Sequence, residues 1–273
     1  MLEIKKIESI GEISELRAAY FAKTTAPLDG MWHFGFVPMS DHFGFYEDNA
    51  LVGYCCVNGD GYLLQFYLSP VAKVQPTELF TLIAQQNSVD IGEVIGAFVS
   101  TAETDYLSLC LDNSSSFTVN ALMYQQNSTS KANQTKWLEM KMANQQQLKS
   151  FVEFAADAIG APEQWLSGYY DNLIQRQELW GYWINEQLVA SGECRLFDEH
   201  QVEFADMGMI VAKSERGKGI ATRVLRFLIN RAAEQGLKPM CSTESDNTGA
   251  QKAIMRAGLT SSNRIVQFEF DRA

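Results

Sequence analysis

The sequence predicts an α/β protein built from two similar halves, each a mixed, mostly antiparallel sheet flanked by helices. Three observations carry this. Of 273 residues, 46% are apolar and 20% charged, a globular composition with enough chain for one large core or two smaller ones. Residues 125–135, Gln-Gln-Asn-Ser-Thr-Ser-Lys-Ala-Asn-Gln-Thr, hold no large apolar side chain and read as a linker between domains 1–124 and 136–273. On both sides of it the elements run in one order: a helix, a meander of strands, then strands alternating with helices. That order implies a mixed sheet with helices on both faces.

The first half opens with a helix over Glu12–Lys23. His42–Tyr46, Leu51–Val57 and Tyr62–Leu68 are rich in β-branched and aromatic residues and are separated by Asp48-Asn49 and Asn58-Gly59-Asp60 turn signals. Pro76–Gln86 places Leu79, Phe80, Leu82 and Ile83 at helical spacing. Strand Val94–Ser100, a helical stretch near Asp105–Leu111 and strand Phe117–Tyr124 follow. The second half starts with strand Trp137–Met142, a helix over Asn144–Ala158 and another near Pro162–Gln177. Leu179–Ile184, Leu188–Phe197 and Val202–Val211 form its meander. Gly219–Gln235 carries Ala221, Val224, Leu225, Leu228 and Ala232 on one face and ends at Gly236. Pro239–Thr243 is a short strand, Asp246 or Asn247 caps a helix running to Ala257, and Arg264–Phe270 alternates as a last strand.

Composition removes several functions. The net charge is −11, whereas a nucleic-acid binder is normally basic. No apolar run reaches the ~20 residues that span a bilayer, and the charged N-terminus lacks the apolar core of a signal peptide. Five cysteines, Cys55, Cys56, Cys110, Cys194 and Cys241, show no CxxC spacing, and His33, His42 and His200 are scattered. The chain therefore reads as cytoplasmic, with reduced thiols, no metal site, and no nucleic-acid or membrane partner. Residues 1–135 hold six basic and fifteen acidic residues, a net of −9, against −2 for the remainder. Within that remainder, residues 212–231 concentrate six basic residues against one acid. One basic cluster in an acidic chain points to a small anionic ligand, unless it is only a solvated helix face.

Glycines decide between those readings. A buried-type strand, Met207–Val211, runs into a loop carrying Arg216, Gly217, Lys218 and Gly219, which opens an amphipathic helix. Glycines let backbone approach a ligand, and N–H groups at a helix start favour phosphate. A Walker loop would need Ser or Thr after Lys218, where Gly219 stands. A dinucleotide fingerprint would need Gly or Ala where Thr222 stands, and the downstream acid is missing. Arg216-x-x-Gly219-x-Ala221 instead resembles the Arg/Gln-x-x-Gly-x-Gly/Ala loop of the GNAT superfamily of acyl-CoA-dependent N-acetyltransferases. The resemblance extends over residues 137–273 and includes Asn247-x-x-Ala250 and Gly258-Leu259. It implies that Met209, Ile210 and Val211 hold the pantetheine arm of acetyl-CoA, that the amides of Gly217, Lys218, Gly219, Ile220, Ala221 and Thr222, with Arg216, hold the pyrophosphate, and that Asn247 contacts the pantetheine or its strand. Many members carry a general-acid Tyr seven residues after that Asn; here the position is Ile254. A thiol pKa near 8.5 makes such an acid helpful rather than indispensable.

Attack on a thioester needs a neutral amine, whereas an alkylamine has a pKa of ~10.4, so a carboxylate must take the proton. The family's frequent glutamate falls near Ala205. Glu203 shares that strand face, Asp206 is adjacent on the other, and Glu244 follows the next strand. Glu203 leads, with Asp206 and Glu244 behind it, and each also has a reading as a strand-end or surface charge. Cys241 reads as a packing thiol rather than a nucleophile, and Trp165, Tyr169, Tyr170, Trp180, Tyr182 and Trp183 as core more than as cleft. The expected activity is acetyl transfer from acetyl-CoA to a primary amine of a small molecule by direct attack in a ternary complex, in a monomer or homodimer. The alternative is a catalytically weak acyl-CoA-binding or sensing module.

The first half is expected to be a degenerate GNAT-like domain, an arrangement that resembles tandem members of the superfamily; the alternative, for which the irregular stretch Pro27–Ser40 leaves room, is an unrelated fold. Gln75 stands for the first residue of its loop, but Glu78 occupies the glycine position and Pro76 removes an N–H. One acyl-CoA per chain is therefore expected.

Overall fold

In the computed structural model, the structure describes residues 2–85, 88–126 and 138–271. The linker expected at 125–135 falls almost wholly outside them, as does Trp137. The described residues divide into two compact units, 2–122 with 263–271, and 123–262. The halves read from the sequence therefore need one adjustment: the chain's last strand ends in the first unit. Its physical reason is pairing, given below.

The first unit runs β1 (Leu2–Lys6), α1 (Ser14–Ala22), β2 (Asp41–Glu47), β3 (Ala50–Val57), β4 (Tyr62–Leu68), α2 (Pro76–Ala84), β5 (Gly96–Ser100), α3 (Thr104–Asp112) and the start of β6 (Ser116–Gln126). Most elements lie within a few residues of their expected places, and β1 is additional. The helix expected from Glu12 begins as a 3-10 turn, Ile10–Ile13, closed by a reciprocal Ser9–Glu12 capping box. Asp48 and Asn49 both take positive φ, 50° and 66°, as a tight hairpin turn between twisted strands requires. β1 to β4 are successively antiparallel. β4 then pairs with β5 in parallel, through Tyr62↔Gly96 and Leu63↔Ala97. Residues 265–269 of the last strand pair antiparallel with β5, which is why the C-terminus belongs here. Phe45, Phe66, Phe80, Tyr106 and Phe268 join one core. Ile13, Tyr20, Tyr54 and Tyr67 fill another cluster in the same unit.

The second unit runs β7 (Lys141–Met142), α4 (Leu148–Ile159), α5 (Glu163–Gln175), β8 (Leu179–Ile184), β9 (Gln187–Leu196), β10 (Phe204–Val211), α6 (Ile220–Glu234), β11 (Lys238–Glu244), α7 (Thr248–Ala257) and the start of β12 (Leu259–Glu269). β7 to β10 are antiparallel neighbours, and β10 pairs with β11 in parallel. Phe151, Leu166, Tyr170, Leu179 and Leu188 form the core beneath α4 and α5. A Cβ on Gly192 of β9 would lie 3.0 Å from Val224 and 3.3 Å from Leu228, so α6 packs closely on the sheet. In both units a parallel pair lies between the strand that precedes a helix, α2 or α6, and the strand that follows it.

Candidate active site

The parallel pair of the second unit is short. β10 and β11 are in register at Phe204↔Lys238, Ala205↔Pro239 and Asp206↔Met240 only. Beyond Asp206 the strands part, and that edge of β10 from Met207 to Val211 is left without the neighbouring strand. A cleft of about 520 Å³ opens at this place. Its lining includes Met209, Ile210 and Val211 from β10, Arg216, Gly217 and Gly219 from the loop, Ile220, Ala221 and Thr222 from the first turn of α6, and Asn247. Ten of the eleven residues expected at a coenzyme site are thus brought together.

Lys218 is the exception. It does not line the cleft, and its ammonium pairs with Glu215 at 2.9 Å. Gly217 and Gly219 take φ of +81° and +75°, and a Cβ at either would meet nothing within 4 Å. Glycine is demanded here by backbone conformation rather than by crowding. Gly219 caps α6 without any side-chain hydrogen bond, so the helix start turns its N–H groups and the positive end of its dipole outward. Arg216 lines the cleft, and its guanidinium is engaged with backbone carbonyls. Its guanidinium donates to the Ala158 carbonyl at 2.8 Å and reaches the Val211 carbonyl at 3.4 Å, bracing the loop against the negative end of α4. The cleft's added cations are Lys252 and Arg256 on α7, which sequence reading missed. Their i, i+4 spacing after the Asn247 cap was the available signal. Asn247 accepts from the Ala250 N–H at 3.1 Å, and so caps α7 as expected.

The three expected carboxylates do not converge. Glu203 is exposed in the turn before β10, and its carbonyl accepts from the Lys238 N–H. It lies six positions before Met209, about 20 Å along a strand. Glu244 is exposed at the end of β11. Asp206 is 1% exposed and is gripped by Arg195, whose Nε and Nη2 donate to Oδ2 at 3.0 and 2.5 Å. Arg195 also donates from Nη1 to Oε2 of Glu193 at 2.5 Å and to the Tyr169 hydroxyl at 2.6 Å. Tyr169 in turn donates to Glu193 Oε2 at 2.6 Å. Burial lifts the Tyr169 phenol well above its ordinary range, which keeps it a donor. Against the pull of burial, Asp206, Tyr169 and Glu193 hold the Arg195 guanidinium firmly charged. Sequence reading passed over this cluster because β9 looked like a plain core strand.

Among the other expected residues, Cys241 and Ile254 are buried, 3% and 2% exposed. Trp165 is exposed and stacks on Tyr169 with centroids 4.8 Å apart, while Tyr170 and Trp180 belong to the core. No helix of the described residues is long and apolar enough to cross a membrane.

The first unit has a related opening. β4 and β5 pair through two residues and then part, above a cleft of about 320 Å³. Its lining differs in sign. Glu103, Asp105 and Asp112 are there with Lys23, which pairs with Asp105 at 3.2 Å. Gln75 and Pro76 start α2 without a side-chain cap. The amides of Lys73 and Val74, just before it, donate to the carboxylate of Glu47 at 2.8 Å each, which lowers its pKa.

Comparisons with known proteins bear on both units. The profile of the acetyltransferase (GNAT) domain matches residues 9–127, and that of the acetyltransferase (GNAT) family matches residues 144–259. A GNAT-family acetyltransferase from Colwellia psychrerythraea is 60% identical, with 98% of this chain and 100% of that one covered and a TM-score of 0.94. A GCN5-related N-acetyltransferase from Sphaerobacter thermophilus (14% identity, 100% and 96% covered, TM-score 0.67) shares the fold. So does a tandem GNAT protein from the clavulanic acid biosynthesis pathway (10%, 98% and 98%, 0.63). No curated protein matches. With a GNAT profile on each half and a 60% identical relative over its whole length, the chain belongs to the GNAT acetyltransferases and carries two domains of that family.

Proposed function

We propose that this acyltransferase moves an acetyl group from acetyl-CoA to the primary amine of a small molecule, by direct attack in the second domain. The cleft at the parting of β10 and β11 carries the reading. It offers an unpaired strand edge at Met209–Val211 for the amides of a pantetheine arm. It also offers an uncapped helix start at Gly219–Thr222 for a diphosphate, with Lys252 and Arg256 supplying charge. Bound there, acetyl-CoA supplies an activated acyl carbon and a thiolate leaving group. The chain's part is to align the strand edge with the amine, to exclude water, and to accept the amine's proton. Ile254 leaves the thiolate to depart without an acid from α7. Five buried cysteines, none of them in a disulfide among the described residues, accord with a reducing, cytoplasmic setting.

The first domain is read as binding no acyl-CoA. Acids line its cleft, Glu78 is exposed in the first turn of α2, and Glu47 already occupies two loop amides. Calorimetry tests both statements: acetyl-CoA should bind one per chain, and a stoichiometry of two would refute the assignment. At a hundredfold excess over Kd, binding should add about 2.7 kcal/mol of stability, and Arg216→Glu should remove the gain relative to its own unliganded baseline. An unchanged Tm with excess acetyl-CoA would sink the reading. Thiol release with a panel of amines separates a transferase from a sensor, which would bind the coenzyme and release nothing.

A further inference from the structure

We infer that Glu193 is the residue that anchors the ammonium of the acceptor and takes its proton; this rests on the acetyl-transfer reading above. Glu193 stands opposite Gly208 in the β9–β10 ladder. Gly208 is the residue next to Met209, where the cleft's β10 lining begins. The missing side chain at Gly208 makes the room: a Cβ there would lie 2.8 Å from Glu193 Oε2 and 3.1 Å from Arg195 Nη1.

The two oxygens of Glu193 are unlike. Oε2 accepts from Tyr169 and Arg195. Oε1 has no hydrogen bond among the described residues, yet it is not among the polar atoms sealed from solvent without a partner. It is therefore a carboxylate oxygen held in place by its twin and still reachable. Glu193, Asp206 and Arg195 are all buried, with residue exposures of 5%, 1% and 6%, and Arg195 pairs with both carboxylates. Asp206 itself is held on Arg195, and Glu203 and Glu244 are exposed away from this cluster. The groups facing Glu193 are Tyr169 and Tyr170 of α5, Arg195 of its own strand and Asp206 of β10.

In the step this implies, R–NH3+ gives one proton to Oε1, which becomes a carboxylic acid. The nitrogen lone pair forms the C–N bond to the acyl carbon as the C–S bond breaks. A second N–H proton ends on the departing thiolate, and the proton on Glu193 passes to solvent.

The test uses the full chain, a panel of primary amines from phenethylamine to spermidine, and Glu193→Gln. The variant should lose kcat by ~100-fold or more while its acetyl-CoA Kd stays within twofold of wild type. Its kcat/KM should climb about tenfold per pH unit from 7 to 9 as the amine deprotonates unaided. A readout besides turnover is the Tm rise given by an amine with coenzyme A present, expected in wild type and lost in the variant. Glu193→Asp should keep the wild-type pH profile at lower kcat. Turnover of Glu193→Gln within threefold of wild type, an amine-induced Tm rise equal in both or absent from both, or activity loss tracking a weakened acetyl-CoA Kd would overturn the assignment. Failure of wild type to bind acetyl-CoA would instead refute the underlying reading.

Discussion

Gly208→Ala probes the buried cluster apart from the cleft that begins at Met209. The added methyl would sit 2.8 Å from Glu193 Oε2, 3.1 Å from Arg195 Nη1 and 3.2 Å from Glu193 Cδ, and none of these can withdraw freely. Arg195 is tied to Asp206 and Tyr169, and Glu193 to Tyr169. Overpacking of this kind costs about 1–3 kcal/mol. If the carboxylate is expelled, the guanidinium also loses one of two partners; breaking a buried pair outright costs about 3–5 kcal/mol, and Asp206 remains to limit the loss. The expected destabilisation is therefore about 2–3 kcal/mol. Equilibrium unfolding in urea, followed by tryptophan emission, measures it in the relevant unit, because Trp165, Trp180 and Trp183 all lie there. Adding Glu193→Asp, which shortens the crowding side chain, should return part of the loss, with a coupling energy of about 1 kcal/mol or more. A loss under about 0.5 kcal/mol for Gly208→Ala, or strict additivity in the cycle, would show that the carboxylate does not need the space Gly208 leaves.

Two further outcomes are expected. Burial pushes the Glu103 carboxyl from an ordinary 4.5 up to about 7, against the hydrogen bonds from Tyr20 and Ser100. The folded state then holds a proton that the unfolded state has released, so stability falls as pH rises from 4.5 to 7, by about 3 kcal/mol. Glu103→Gln should flatten that slope in urea titrations, and a slope unchanged in the variant would assign it elsewhere. Asn247→Ala removes the cap on α7 and should cost about 1 kcal/mol; a change below about 0.3 kcal/mol by the same unfolding assay would mean the cap is replaced by water.

The cleft proposed for the coenzyme is legible in the sequence because its residues are local. Arg216, the two glycines and the first turn of α6 are contiguous, and their spacing carries the backbone conformation that makes the cleft. The buried cluster proposed for proton transfer is illegible there because it is not local. Glu193, Arg195, Asp206 and Tyr169 come from β9, β10 and α5 and meet only through strand register. Glu203 is expected because it shares a strand face with Ala205, but strand parity fixes a face and says nothing of distance along it. Arg216 taught a similar lesson. Sequence supplied its charge, and only packing revealed that two backbone carbonyls claim its guanidinium. The last strand was recognised as a strand, while its pairing with β5 depends on partners more than 150 residues away in the chain.

The two domains place different chemistry around the same kind of opening. Both keep the parting of a short parallel strand pair, so the opening comes from sheet geometry and survives without a ligand. What differs is the chemistry placed around it. In the second domain the loop reaches α6 through two glycines at positive φ, and Lys252 and Arg256 line the far wall. In the first, proline and glutamate stand in that first turn, acids line the cleft, and Glu47 brings a carboxylate to the loop amides. A carboxylate there does for the backbone what an external anion would otherwise do, satisfying two N–H groups with a charge of the same sign. On the proposed reading, the first domain holds its loop in shape without coenzyme, and a phosphate site there would take removal of Glu47 as well as glycine at Glu78.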